Sequence, residues 1–142
     1  MKKILFLVNT DSFFVSHRLP IAKQLLESGF EVHIATEFTK YRNQLKKLGF
    51  ITHEINFYRN SLNFFKNIIS IFQIFLLLRK TKPNIFHLIS IKPIIFGGII
   101  SFISPINSLV ISITGLGSMF LHKGILNKFR EYIFINLYKI IF

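Results

Sequence analysis

The chain contains no cysteine, which excludes a disulfide framework and a thiolate metal site. Acidic residues are scarce. Six Asp and Glu stand against eighteen Lys and Arg, for a formal charge of +12. That balance favours phosphate-bearing partners: nucleic acid, anionic lipid or a phosphorylated substrate. A compositional origin is the competing explanation, because the charge is scattered and forms no dense basic run. Charge of either sign is nearly missing between Lys82 and Lys123, where Lys92 stands alone among Asp, Glu, Lys and Arg. A membrane span needs such a stretch, but Pro93, Gly97, Gly98, Pro105 and Asn107-Ser108 cut it into short pieces. A helix over Ile94–Ile103 and a strand over Leu109–Ile113 fit better. A secretory signal is also lacking, since Lys2-Lys3 precede only five apolar residues before Asn9 and Asp11. The expected location is the cytoplasm or the cytoplasmic membrane face. No Walker loop, GxGxxG fingerprint, HExxH pair, acidic metal cluster or nucleophile elbow occurs. No metal or cofactor is therefore expected.

What remains is enough for one domain with a real core, at 142 residues. The chain is organised around Lys3–Gly29. Ile4–Val8 is continuously apolar, as in a parallel strand covered on both faces. Asn9-Thr10-Asp11-Ser12 follows as turn-and-cap residues. Leu19, Ala22, Leu25 and Leu26 then recur at helical spacing. Pro20 suits a helix's first turn, and Gly29 suits the position just past its end. The pattern predicts strands over Lys3–Val8, Glu31–Thr36, Ile51–Asn56, Asn84–Leu88 and Leu109–Ile113. Helices are predicted over His17–Ser28, Lys40–Leu48, Leu62–Lys80, Ile94–Ile103 and Ile125–Phe142, with Asn60 or Ser61 capping the third. Alternating elements without hairpin signals define an α/β fold: a Rossmann-like, doubly wound parallel sheet of about five strands with helices on both faces. Helix three has a wide apolar stripe, read either as sheet packing or as partial insertion in a membrane interface with Lys66, Arg79, Lys80 and Lys82 at lipid phosphates.

Polar residues gather where strands end, and a parallel sheet brings those turns to one edge. Asp11 could orient a substrate hydroxyl or accept its proton, or it or Ser16 could cap helix one. His17 and Arg18 lie at that helix start, where backbone N–H groups favour an anion. Arg18 is the stronger phosphate candidate because its fork binds two oxygens. Lys92 could reach a phosphate or snorkel to solvent. His87 reads as a hydrogen-bonded core residue, and His33 and His53 as structural. Gly97-Gly98 allows close helix–sheet contact. Gly115 and Gly117 allow a tight turn and a close backbone approach.

Three segments in order, VNTDSFFVSHRLPIAKQLLESGFEVHIAT, HLISIKPIIFGG and SITGLGSMF, resemble the N-terminal half of a glycosyltransferase family 4 enzyme. The resemblance implies half of a GT-B fold. Residues 1–142 would be the N-terminal acceptor-binding domain, incomplete at its C-terminal end, with the donor domain absent. It implies sugar transfer from a nucleotide-sugar donor to a polyprenyl-diphosphate sugar or polysaccharide acceptor, at the inner face of the cell membrane. It places Asn9, Ser12, Ser16, His17 and Arg18 on the acceptor side, Lys92 at the cleft, and Thr114, Gly115 and Gly117 beside the donor. Asp11 and His17 are the catalytic candidates. Many relatives carry His-x-His after strand four, where this chain has Ile89. The expected partner is a donor domain or second chain, the isolated chain being inactive. The alternative is a non-catalytic, membrane-associated subunit or scaffold of a split enzyme. With no continuous Lys/Arg stripe, nucleic acid is not an expected partner.

Overall fold

The computed structural model describes residues 1–58, 64–104 and 106–114 of the chain. Strands β1 (Lys3–Thr10), β2 (Glu31–Glu37), β3 (Ile51–Glu54), β4 (Ile85–Ile89) and β5 (Ser108–Ser112) form one sheet in the order β3-β2-β1-β4-β5. Every neighbouring pair is parallel. The helices are α1 (Asp11–His17), α2 (Leu19–Glu27), α3 (Arg42–Lys47), α4 (Phe64–Thr81) and α5 (Ile91–Ser101).

The continuous apolar run of β1 follows from its central place. Alternation along a strand sends successive side chains to opposite faces. Leu5 and Leu7 join a core with Ile74, Leu78, Phe86, Ile94 and Ile100, under α4 and α5. Ile4, Phe6 and Val8 join Phe14, Ala22, Val32, Ile34 and Leu45, under α1, α2 and α3. Both faces are covered, so neither can be polar. Helix α5 approaches closely through Gly97, where an added Cβ would clash with Leu88 Cδ2 and meet Leu7 Cδ2 at 3.1 Å.

Several boundaries differ from the sequence pattern. Asn9–Ser12 is not a loop: β1 runs on to Thr10 after a register shift, and α1 begins at Asp11. Thr10 caps α1 by accepting the Phe13 N–H at 3.4 Å. Burial of Phe14 against Phe6 and Phe50 draws this polar segment into a helix. The single helix predicted over His17–Ser28 is instead the end of α1 and all of α2, parted at Arg18 (φ −123°, ψ −13°). Pro20 explains the break, because it has no N–H to continue the α1 ladder. Helix α5 also starts earlier than predicted, taking Lys92 and Pro93 into its first turn. Gly29 closes α2 at φ +84°, as its position implied. The expected Asn60 or Ser61 cap and the Ile125–Phe142 helix lie outside the described residues.

Gly97→Ala is expected to destabilise the fold by about 1–3 kcal/mol, since Leu88 is itself fully buried and has little room to move. Urea denaturation measures this; an unchanged midpoint would contradict the close approach.

Candidate functional site

The sheet order reverses between β1 and β4, because β2 and β3 lie on one side of β1 and β4 and β5 on the other. Ligands in open parallel sheets bind outside the carboxyl ends of the strands at this switch point. The register aligns those ends: Val8 faces Ile89, Thr10 faces Glu37, and Ile89 faces Ser112. The predicted convergence of turns on a common rim is thus present for the described strands.

At this crevice β4 passes into α5 through Ser90, whose backbone sits at φ 76°, ψ 162°. That region is nearly closed to residues with a Cβ and costs of order 1–3 kcal/mol. Neighbouring bonds hold it there. The Ser90 N–H donates to the Ser112 carbonyl at 3.3 Å, and the Ser90 carbonyl accepts from Ile94 N–H at 3.0 Å. The Ser90 hydroxyl lies 3.3 Å from that of Thr114. His87, three residues earlier in β4, pairs through Nε2 with the Ser112 hydroxyl at 2.8 Å and packs on the Phe6 ring. Burial, followed by the charge of Arg18, pushes the His87 imidazole down to about 4. It is neutral at pH 7 and structural, as the sequence suggested.

Arg18 therefore brings a positive charge to β4 from the α1–α2 break. Its Nε is sealed from solvent and has no hydrogen-bond partner. Asn9 Oδ1, near the end of β1, is likewise sealed and unpaired. Buried polar atoms are usually satisfied, so each exception asks for a ligand group or a water.

The other residues form two separate groups. Asp11 is fully buried and turned toward the β2 side. Its carboxylate accepts from Thr39 Oγ1 (2.7 Å) and from the N–H groups of Thr39 (3.0 Å), Lys40 (2.9 Å) and Tyr41 (2.7 Å). Burial pushes this carboxyl up, but these four bonds together outweigh it and hold the group below the ordinary carboxylate value. Asp11 thus caps the approach to α3, not its own helix, and has no free oxygen for the general-base role. Ser12 meets Thr39 at 3.4 Å. Ser16 donates to the Ser12 and Phe13 carbonyls and lies 2.6 Å from His17 Nδ1. His17 is exposed and stacks on Phe13 at 4.3 Å. No bond joins this histidine to Asp11 among the described residues, so the two catalytic candidates do not form a dyad.

Lys92 makes the third group. Its ammonium donates to the carbonyls of Phe57 (2.8 Å) and Tyr58 (3.0 Å), bracing the segment after β3. Burial pushes its pKa down, and nearby Glu37 partly restores it. Neither expected role, phosphate ligand or solvent-seeking side chain, describes this brace. Glu37 itself escaped the sequence reading. Its Oε2 is sealed and unpaired, and its place as the last residue of β2 was the available signal. Gly115 and Gly117 lie outside the described residues. At the opposite edge, His33 bridges His53 (2.8 Å) and Glu31 (2.6 Å) in a structural chain. Among the described residues, no group of three or more His, Asp or Glu is placed to hold a metal ion.

A five-stranded, all-parallel sheet with helices on both faces defines the class: a Rossmann-like α/β domain. Residues 3–141 match the family model described as Glycosyl transferase 4-like, and the chain belongs to that family. No curated protein gives a significant sequence match. Among solved structures, MurG of Acinetobacter baumannii superposes with a TM-score of 0.61 at 19% identity, covering 80% of this chain and 34% of that one. A glycosyltransferase from Rickettsia africae ESF-5 gives 0.65 at 23%, covering 92% and 33%. CalG4, the calicheamicin glycosyltransferase, gives 0.59 at 11%, covering 92% and 37%. The chain spans about a third of the length of these proteins, and at such identities the likeness is one of fold.

Two predictions follow from the buried charges. Asp11→Ala is expected to destabilise the protein by about 1–3 kcal/mol, by leaving donors of the Thr39–Tyr41 turn unmet; thermal denaturation at neutral pH checks this. His87 has a folded pKa near 4, below its ordinary 6.5. The unfolded chain therefore takes up the proton first as pH falls. Stability is full above about pH 6.5 and is lost toward pH 4, by on the order of 3 kcal/mol. His53, pushed down to about 4 by burial and by the charges of His33 and Lys80, contributes over the same window, so the fall in urea midpoints should become shallower in His87→Gln without vanishing; an unaltered slope would assign the loss to other groups.

Proposed function

We propose that this chain is the acceptor-binding part of a glycosyltransferase that moves a hexosyl group from a nucleotide-sugar to a polyprenyl-diphosphate sugar or polysaccharide, in polysaccharide or lipopolysaccharide synthesis. One observation carries the reading: the buried, unpaired Nε of Arg18 at the α1–α2 break, whose charge is felt by His87 on β4. A guanidinium donor without a protein acceptor suits an anionic oxygen brought by a ligand, and the bond is of the strong, charge-assisted kind. Asn9 Oδ1 suits a sugar hydroxyl. A diphosphate-linked sugar offers both groups a short distance apart. Family membership supports the reaction class.

Sugar transfer needs donor and acceptor held together. The proposal therefore includes a second, nucleotide-sugar-binding domain or chain as partner, and the 142-residue chain alone binds acceptor without turnover. Full commitment of Asp11 to the Thr39–Tyr41 turn favours a second reading, in which the chain is a non-catalytic, membrane-associated subunit of a split enzyme.

Titration calorimetry with a short-chain polyprenyl diphosphate in detergent tests the site. Saturable binding is expected, weakened about tenfold to a hundredfold by Arg18→Gln, the value of a charged hydrogen bond. Equal affinity in wild type and variant would remove Arg18 from the site. Incubation of the chain with nucleotide sugars and lipid extract should give no transfer, and turnover would overturn the need for a partner.

A further inference from the structure

Helix α4 has two apolar faces. Ser70, Ile74, Leu77 and Leu78 turn inward and are buried. Phe65, Ile68, Ile69, Phe72 and Leu76, at spacings of three and four along the helix, turn outward. Phe65 is 75% and Phe72 57% exposed. A surface helix of a globular domain ordinarily carries polar residues there. Helix propensity or sheet packing gives no reason for this second stripe, and the sheet needs only the first.

Cations border the outward stripe. Lys66 flanks its start, Arg79 and Lys80 occupy the last turn, and Lys82 follows; all four are exposed. No Asp or Glu occurs between Glu54 and Glu131. A groove lies on each side of the helix's C-terminal half. One, of about 380 Å³, is lined by Lys80, Gln73 and Leu76 on the helix and by Thr52, His53 and the carboxylate Glu54 on β3. The other, of about 370 Å³, is lined by Arg79 and Lys82 with Phe75, Leu78 and the exposed Ile103.

We infer that α4 seats the protein on an anionic phospholipid bilayer: the Phe65–Leu76 stripe enters the headgroup–acyl boundary, and the groove at Arg79 and Lys82, which has no acidic lining residue, takes a lipid phosphate, while Glu54 beside Lys80 leaves the other groove unsuited to one. The chemistry of a bilayer surface matches this order, with apolar area bordered by phosphate at the same depth. Long basic side chains at the border keep their charges in the headgroup layer while their stems lie along apolar surface. A second copy of the chain fits the face poorly. Two-fold pairing would set one copy's Lys66, Arg79 and Lys80 against the other's, and the acidic residue bordering this face, Glu54, is already paired with Arg42 at 3.0 Å. A spanning mode does not apply, because no helix among the described residues is long and apolar enough to cross a membrane. The inference is independent of the crevice, which opens at the strand ends.

The test is co-sedimentation of the 142-residue chain with phosphatidylcholine vesicles, with and without phosphatidylglycerol. Wild type should sediment with the anionic vesicles, far less with the neutral ones, and less at high salt. Ile68→Ser combined with Phe72→Ser should weaken binding at least tenfold. Arg79→Glu or Lys82→Glu should weaken it about fivefold or more, from the contribution of each cation near an anionic surface. These positions are solvent-exposed, and an unchanged urea midpoint certifies that each variant is folded. Arg18→Gln should bind vesicles as wild type does, which separates this surface from the acceptor crevice. Equal binding to neutral and anionic vesicles, or full binding by the double serine variant, would overturn the inference. So would a dimer in light scattering that the double serine variant abolishes while wild type ignores vesicles.

Discussion

Asp11 ties the first crossover of the fold to the second, and the placement of the crevice depends on that tie. Strand β1 runs without a loop into α1 at this residue. The same carboxylate gathers the Thr39–Tyr41 turn, where β2 passes toward α3. Three backbone donors converge on it, so α1 cannot rotate about its axis without abandoning them. With α1 fixed, the break that Pro20 imposes falls at Arg18, and the guanidinium's charge is felt at His87. A carboxylate first read as possible chemistry is a structural anchor one step removed from the chemistry.

The crevice is built from constraints of unlike strength. Parallel pairing brings strand ends to one rim at no special cost. Ser90 is different, because its backbone is held in a conformation that a side chain opposes. Bonds to Ser112 and Ile94 secure it, and the close packing of Gly97 fixes the helix that follows. Lys92 then reaches back from that helix to the carbonyls after β3. The loops on both sides of the switch point are therefore braced by different parts of one short helix.

Much of this was legible in the residues alone. The continuous run Ile4–Val8 announced a central strand, the alternation of elements announced parallel crossovers, and the order VNTDSFF, HLISIKP, SITGLG announced the family. The polar stretch Asn9–His17 misled, because cap-forming residues look alike whether they make a loop or start a helix; burial of Phe14 decided between them. Asp11 and Lys92 are ambiguous in the sequence for another reason. A charged residue at a strand end signals a site, but only three-dimensional contacts reveal that backbone groups have already claimed it. Glu37 was missed because its one signal, a place at the end of β2, gains meaning only when β2 is set beside β1. The outward stripe of α4 was visible as excess hydrophobicity, yet periodicity could not say which of its two apolar sides the sheet would take.

The torsion at Ser90 also bears on which residues the position can accept. Only glycine enters that region freely, and branched side chains enter it at the greatest loss. Drift at this site is thus confined to a narrow alphabet of small residues. A glycine there would loosen the strand-to-helix hinge while relieving its strain, exchanging rigidity of the crevice floor for a more stable resting fold.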